Sequence, residues 1–315
     1  MAIINPFEAI LNEKGYVIID GALATELQNR GCDLNDPLWS AKILIDQPQL
    51  ITDVHYDYFI AGADCAITAS YQATSLGFAK RGLSKTQSLA LIKKSVDVAI
   101  QAKTKYQQIT GNNRPLIIAG SVGPYGAYLA DGSEYTGNYH LTDNQMLDFH
   151  YDRIYALVES GVDILAFETM PSFAEIKVLA NIIKQLKNTA CWFTFTLRDS
   201  QHLSDGTQLK DVIEFLNSIE QVTMVGINCI AIEKVTDALI TLNKLTNKPL
   251  IVYPNSGEQY DVKSKTWMAS NHQYTLTNQL ADWQKNGAKL IGGCCRTTPH
   301  DISNISTNLA QLCCH

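Results

Sequence analysis

The sequence predicts a closed (β/α)8 barrel, on three observations. Short apolar, β-rich runs alternate with longer helical patterns along all 315 residues, and there are eight such runs. Each run stays apolar for about five residues without alternating, as a parallel strand buried on both faces does. The residues that follow the runs are mostly polar, acidic or sulfur-bearing. That suits a barrel whose chemistry sits at the carboxyl ends of its strands. An open, doubly wound sheet is the alternative arrangement of the same elements. No linker, charge run, low-complexity stretch or short-period repeat divides the chain, so residues 1–315 read as one domain.

In chain order the strands fall at residues 16–20 (YVIID), 65–70 (CAITAS), 115–120 (PLIIAG) and 163–168 (DILAFE). The other four fall at 191–197 (CWFTFTL), 224–229 (MVGINC), 249–253 (PLIVY) and 288–292 (AKLIG). Helices are expected between them, among others over 86–106, 142–160, 173–186, 232–245 and 274–286, where apolar residues recur at helical spacing. Gly161 and Gly287 stand just before strands, where a helix ends in the left-handed conformation that glycine adopts freely. The strand ends then present Asp20, Ser70-Tyr71-Gln72, Ser121, Glu168, Arg198, Cys229, Asn255 and Cys294-Cys295.

Composition narrows the function classes. With 46% hydrophobic and 18% charged residues the chain is an ordinary globular one, able to bury a core without staples. A net charge of -6, with no basic stripe, argues against nucleic acid as the main partner and does not identify a substrate. No apolar run approaches the roughly 20 residues that span a bilayer, and no secretory leader is visible. The expected setting is the cytoplasm, with the eight cysteines as free thiols or metal ligands.

Gly292-Gly293-Cys294-Cys295 is the most informative segment. Adjacent cysteines make a poor disulfide but suit a metal if a third soft ligand arrives. Cys229, closing another strand, is the candidate. Cys229 and Cys294 come from even-numbered strands, whose inward residues share a layer. Cys295 joins only if the backbone bends, which Gly292 and Gly293 permit. Three cysteines fit one zinc ion with a fourth position left for substrate. Three thiolates leave such a site net negative, a weak Lewis acid that still deprotonates a bound thiol. The fitting chemistry is alkyl transfer to sulfur from a cationic methyl donor, with no separate protein base. The plainer readings are a buried small residue at Cys229 and a redox switch at Cys294-Cys295.

These residues, with Asp20-Gly21, Glu168-Thr169 and Asn228-Cys229, resemble the homocysteine S-methyltransferase family over essentially the full chain. Residues 38–42, 66–74 and 120–135 look most like the short members that use S-methylmethionine. The resemblance implies that Cys229, Cys294 and Cys295 bind zinc, with homocysteine sulfur as fourth ligand. It implies that Asp20 and Glu168 hold the substrate ammonium, and it brings Gly21, Asn228 and Gln72 into the substrate site. Asp20 as a helix cap or turn, and Glu168 as a structural ion pair, stay open. Betaine-dependent members place a tyrosine after the second strand; here Gln72 stands there, beside Tyr71. No room is visible for folate or cobalamin modules or an oligomerisation extension, so a free sulfonium donor and a monomer or weak oligomer are expected.

The glycine-rich residues 120–126 lack the Lys-Ser/Thr ending of a phosphate loop and read as a βα loop. Tyr125, Tyr128, Tyr135 and Trp39 could face a methylsulfonium or simply pack. No histidine falls at a strand end. Cys313-Cys314-His315 reads as a frayed tail. Competing functions are methylation of another thiol or selenol such as selenohomocysteine, use of betaine, or a non-catalytic zinc or redox sensor.

Overall fold

The computed structural model describes residues 3–36, 38–257, 259–261, 266–268 and 275–312. Eight parallel strands form one sheet: β1 (Val17–Ile18), β2 (Cys65–Ile67), β3 (Ile117–Val122), β4 (Ile164–Met170), β5 (Cys191–Phe195), β6 (Val222–Asn228), β7 (Leu250–Tyr253) and β8 (Ala288–Ile291). Their order is β1-β8-β7-β6-β5-β4-β3-β2. A parallel bridge from Ile19 to Cys65 joins the two ends, so the ring closes. The Asp64 amide donates to the Ile18 carbonyl at 2.7 Å and the Asp20 amide to the Cys65 carbonyl at 3.0 Å. Every strand neighbours its sequence neighbour, which is the barrel and not the doubly wound order.

A helix follows each strand: α1 (Pro48–Ile60), α2 (Lys85–Thr110), α3 (Asp143–Glu159), α4 (Phe173–Ile183), α5 (Leu209–Asn217), α6 (Val235–Leu245), α7 (Leu276–Lys285) and α8 (Pro299–Leu312). Local chemistry sets their ends. Ser84 with Gln87 and Thr142 with Gln145 form reciprocal capping boxes that start α2 and α3. Gly161 and Gly287, just past α3 and α7, have φ of +81° and +95°, as their placement predicts. Most boundaries shift by a few residues from the sequence reading, as β2 ending at Ile67 and α2 running from Lys85 to Thr110 show. α4 stops at Ile183, short of residue 186, and a 3-10 turn, Ile232–Lys234, precedes α6. β5 ends at Phe195, because Leu197 belongs to a small antiparallel hairpin, Leu197–Asp199 with His202–Leu203. Tyr274 and Cys313-Cys314-His315 lie outside the described residues.

Inward residues of the strands make a dry inner cluster that includes Val17, Ile19, Cys65, Ile117, Ala119, Ile164, Ala166, Trp192, Met224, Ile251 and Leu290. Phe7 and Ile10, from the helix Glu8–Lys14 and the residue before it, pack on this cluster, with Phe7 and Trp192 ring centroids 6.2 Å apart. Each large aliphatic side chain among them contributes about 1.5–3 kcal/mol on burial. Cys65 is therefore a core residue, and burial pushes its thiol up. Among the described residues no helix is long and apolar enough to cross a membrane.

Candidate metal centre

Cys229 follows β6 with a left-handed backbone, φ +52°, and its amide donates to the Tyr253 carbonyl at 3.1 Å. Such a φ is uncommon for a non-glycine residue and costs about 1–3 kcal/mol. It turns the sulfur out of the strand's alternation towards the segment after β8. There Gly292 and Gly293 serve by being small, since neither has a positive φ. A Cβ on Gly292 would stand 2.6 Å from the Ile19 Cβ, and one on Gly293 would stand 2.4 Å from Thr297 Oγ1.

The chain then bends sharply. The Cys294 amide donates to the Pro254 carbonyl at 2.7 Å, and Thr297 returns its amide and hydroxyl to the Cys294 carbonyl at 3.1 and 2.6 Å. Arg296 is left-handed at φ +68°. The bend brings consecutive cysteines to the same place: the sulfurs of Cys229, Cys294 and Cys295 all lie within 4.8 Å of one another. Cys229 and Cys295 are 3.7 Å apart. Zinc–sulfur bonds of about 2.3 Å in a tetrahedron put sulfurs about 3.8 Å apart, so the donor set fits zinc in chemistry and spacing. Hydrogen bonds from Cys294 and Cys295 hold the Cys229 thiol well below its usual range, while the same bonds to Cys229 push Cys294 and Cys295 up.

Two carboxylates stand close to this cluster. Asp20, 3% exposed, accepts from the Ile67 amide at 2.9 Å across the seam that closes the barrel. It caps no helix; the helix Leu23–Asn29 has Ala22 at its cap. Glu168, 7% exposed, points inward in register with Ile164 and Ala166, accepting from Ser121 Oγ and from Tyr253 Oη at 3.2 Å. Among the described residues it has no ion-pair partner within salt-bridge distance, and Asp20 has only His55, 3.9 Å away. Burial lowers His55 to about 4, so that imidazole is neutral and leaves Asp20 uncompensated. Burial raises the Asp20 carboxyl well above its ordinary value, with proximity to Glu168 adding to it, and pushes Glu168 up to about 7. Two close, buried carboxylates with no charged partner in ion-pair contact, the Arg153 guanidinium acting on Glu168 only from farther off, are what an ammonium group would complete.

The remaining predicted residues have definite posts. Asn228 spends both ends of its amide on Thr169: Oδ1 accepts from the Thr169 amide at 2.7 Å and Nδ2 donates to Thr169 Oγ1 at 2.8 Å. That holds Thr169, a β-branched residue, at φ +62° beside Glu168. Gly21 is confined, since a Cβ there would meet Thr297 Oγ1 at 2.8 Å and Tyr58 at 2.9 Å. Gln72 turns to the loop after β3, its Nε2 donating to the Ala127 carbonyl at 2.7 Å. The tyrosine that reaches the sulfurs is instead Tyr135, on the 3-10 turn Ser133–Tyr135, with Oη 3.1 Å from Cys229 Sγ. Arg198 is exposed and pairs with Asp199 at 3.4 Å, away from this chemistry.

Tyr125 and Tyr128 pack on Phe149, and Lys80 already covers the Tyr128 ring at 4.4 Å. Trp39 meets Tyr71 edge-on at 6.2 Å. Gly123 and Gly126 of the glycine-rich loop sit under Tyr71 and against Glu134, so they serve close packing. Sequence reasoning missed the buried support beneath this rim. Arg153 of α3 donates to the Tyr71 and Gly123 carbonyls at 2.6 and 2.7 Å, and contacts His150 Nδ1 at 2.9 Å. His150 Nε2 lies 2.6 Å from Glu175, which also accepts from the Tyr125 amide at 2.7 Å. An arginine and a histidine three residues apart on an otherwise apolar helix face were the available signal.

The profile of the family described as homocysteine S-methyltransferase matches residues 17–309. A homocysteine S-methyltransferase of Escherichia coli (strain K12) is 55% identical over 300 residues, covering 95% of this chain and 97% of that protein. Homocysteine S-methyltransferase YbgG of Bacillus subtilis (strain 168) is 48% identical over 305 residues, with 96% and 97% covered. The crystal structure of the homocysteine methyltransferase MmuM from Escherichia coli, in a metallated form, superposes with a TM-score of 0.89 at 51% identity. It covers 96% of this chain and 99% of that one.

Proposed function

This chain belongs to the homocysteine S-methyltransferase family, and from that premise we propose that it methylates the thiol of L-homocysteine to give methionine. The donor is S-methylmethionine or, less efficiently, S-adenosylmethionine. The carrying observation is the cluster of three sulfurs beside two buried carboxylates that lack a charged ion-pair partner. Cys229, Cys294 and Cys295 would hold one zinc ion, which when bound lowers the pKa of a substrate thiol and orients it.

The chain's own residues do the rest. Asp20 and Glu168 accept hydrogen bonds from the homocysteine ammonium, and Ser121 and Tyr253 fix the Glu168 carboxylate for that purpose. Asn228 keeps Thr169 in its strained conformation so that the turn after Glu168 stays open to substrate. Gly21 lets the chain after β1 lie flat against Thr297 and Tyr58. The thiolate sulfur attacks the donor methyl carbon in line. A new carbon–sulfur bond forms as the old one breaks, and its electron pair leaves on the donor sulfur as a neutral thioether. No proton moves at carbon, so no protein base is required. Opposite charges neutralise in the transition state, which a site shielded from bulk water favours.

Metal content measured beside methionine formation from homocysteine and each candidate donor tests this reading. Stoichiometric zinc with turnover from S-methylmethionine supports it. Preference for betaine would overturn the donor, and preference for a selenol the acceptor. Reversible Cys294–Cys295 disulfide formation without methyl transfer would replace the enzyme with a sensor. The thiols among the described residues are free, which supports a reducing, cytoplasmic setting.

A further inference from the structure

Both proposed substrates are amino acids, and each brings an ammonium group to the same mouth. Asp20 and Glu168 answer one. The loops after the strands hold a second acidic position. Buried side-chain atoms without a hydrogen-bond partner on those loops are, among the described residues, all acceptors: Gln72 Oε1, Glu134 Oε2 and Asn255 Oδ1. Donation from Gln72 Nε2 to the Ala127 carbonyl fixes which end of that amide is left over. Glu134 packs against the same short helix: a Cβ on Gly126 would stand 2.7 Å from the Glu134 backbone nitrogen, and the Glu134 carboxylate bears on Tyr71, the neighbour of Gln72.

Glu134 is well placed relative to the reacting sulfur. Its carbonyl accepts from Thr196 Oγ1 at 2.8 Å, which ties the turn to the end of β5. The next residue, Tyr135, touches Cys229 Sγ. Burial pushes the Glu134 carboxyl up to about 7, as befits a carboxylate with no cation beside it. A buried acceptor left without a donor is destabilising, the more so when charged, and a ligand bearing N–H groups and positive charge removes that penalty.

We propose that Glu134, with Gln72 Oε1 as a second acceptor, forms the subsite for the α-ammonium group of the methyl donor, an α-amino acid bearing a methylsulfonium. The assignment rests on the methyl-transfer reading above. It separates the two amino acids: acceptor ammonium at Asp20 and Glu168 inside the barrel, donor ammonium on the loop after β3, and sulfur between them.

The experiment uses zinc-loaded wild type and Glu134→Gln with two donors. S-methylmethionine carries the ammonium; 3-dimethylsulfoniopropionate keeps sulfonium and carboxylate and lacks it. In the variant, KM for S-methylmethionine should rise at least tenfold, with homocysteine KM and zinc content within twofold of wild type. The loss should be confined to the donor with the ammonium. An unchanged KM for S-methylmethionine overturns the assignment, as does an equal loss with both donors. Calorimetric titration with S-methylmethionine alone reads the subsite without turnover: at least tenfold weaker binding to Glu134→Gln supports it and equal binding overturns it. A wild type that binds S-methylmethionine yet methylates nothing would refute the methyl-transfer reading while leaving this comparison decisive.

Discussion

The two ends of the barrel are made by the same eight strands and are used in opposite ways. At the amino end the inward positions carry Val17, Ile117, Ile164, Trp192 and Leu290, sealed by Phe7 and Ile10. At the carboxyl end the same strands and the turns after them carry Ser121, Glu168, Thr194, Tyr253 and three cysteines. Backbone strain follows the division. Of the non-glycine residues with left-handed backbone among those described, Thr169 lies at the carboxyl end of β4, Trp39, Ala130, Cys229 and Arg296 lie after strands, and Asn188 alone lies between a helix and the strand that follows it. The closed end holds the molecule together, and its surplus of stability tolerates strained turns and unpaired carboxylates at the open end.

The most severe test of that division is the sulfur cluster. Cys229→Ala, Cys294→Ala and Cys295→Ala should each fold, lose zinc and lose methyl transfer together, as read by metal analysis beside a turnover assay. Full turnover by a metal-free variant would break the comparison at its centre. Ile164→Ala should do the reverse, costing about 2–5 kcal/mol in urea unfolding while the folded fraction keeps its KM for homocysteine. A large KM change there would mean that the two ends are not separable.

A smaller effect sharpens the picture at Glu168. Glu168→Gln should raise the KM for homocysteine by about 10–150-fold, the worth of about 1.5–3 kcal/mol of charged hydrogen bonding. Its pH dependence has a definite sign. The folded protein keeps a proton on Glu168 up to about 7, whereas the ordinary value is 4.5. Between these values the native state binds more protons than the unfolded chain, so this group's contribution to stability falls as pH rises from about 4.5 to about 7. The carboxylate that receives an ammonium exists mainly above about 7, so the KM for homocysteine should climb as pH falls through that value. Glu168→Gln should flatten both slopes relative to wild type; parallel profiles would remove Glu168 from the ammonium site. The least effect belongs to Thr169→Gly. Relief of its left-handed backbone and loss of its hydroxyl bond to Asn228 are each worth about 1 kcal/mol, so stability should move by less than about 1 kcal/mol. A larger drop in the urea midpoint would show the turn to be structural.

Much of this was legible in the sequence because parallel strands buried on both faces have one appearance. All eight runs are strands, and the capping glycines stand where helices stop. Asp20, Glu168 and the three cysteines were legible as strand-end residues of the wrong polarity for a core. What was not legible has two causes. Tyr253 reaches Glu168, and Tyr135, read in the sequence only as an aromatic that could face a sulfonium or pack, reaches Cys229, both across tens of residues of chain and from a strand face and a 3-10 turn that periodicity does not orient. Arg153, His150 and Glu175 look like ordinary helix residues until two helices and two loops are brought together around them.

The sequence by itself determined the alternation of elements, the end of the barrel that carries chemistry, and the soft ligands available there, because burial and side-chain chemistry are local properties. Only the tertiary structure decided that Cys295 joins Cys294 on the same side, through a bend set by Pro254, Thr297 and a left-handed Arg296. It alone decided that Tyr135, and not a residue after β2, meets the sulfur. Direction and distance between segments remote in the chain are fixed by packing, and packing is a property of the closed ring.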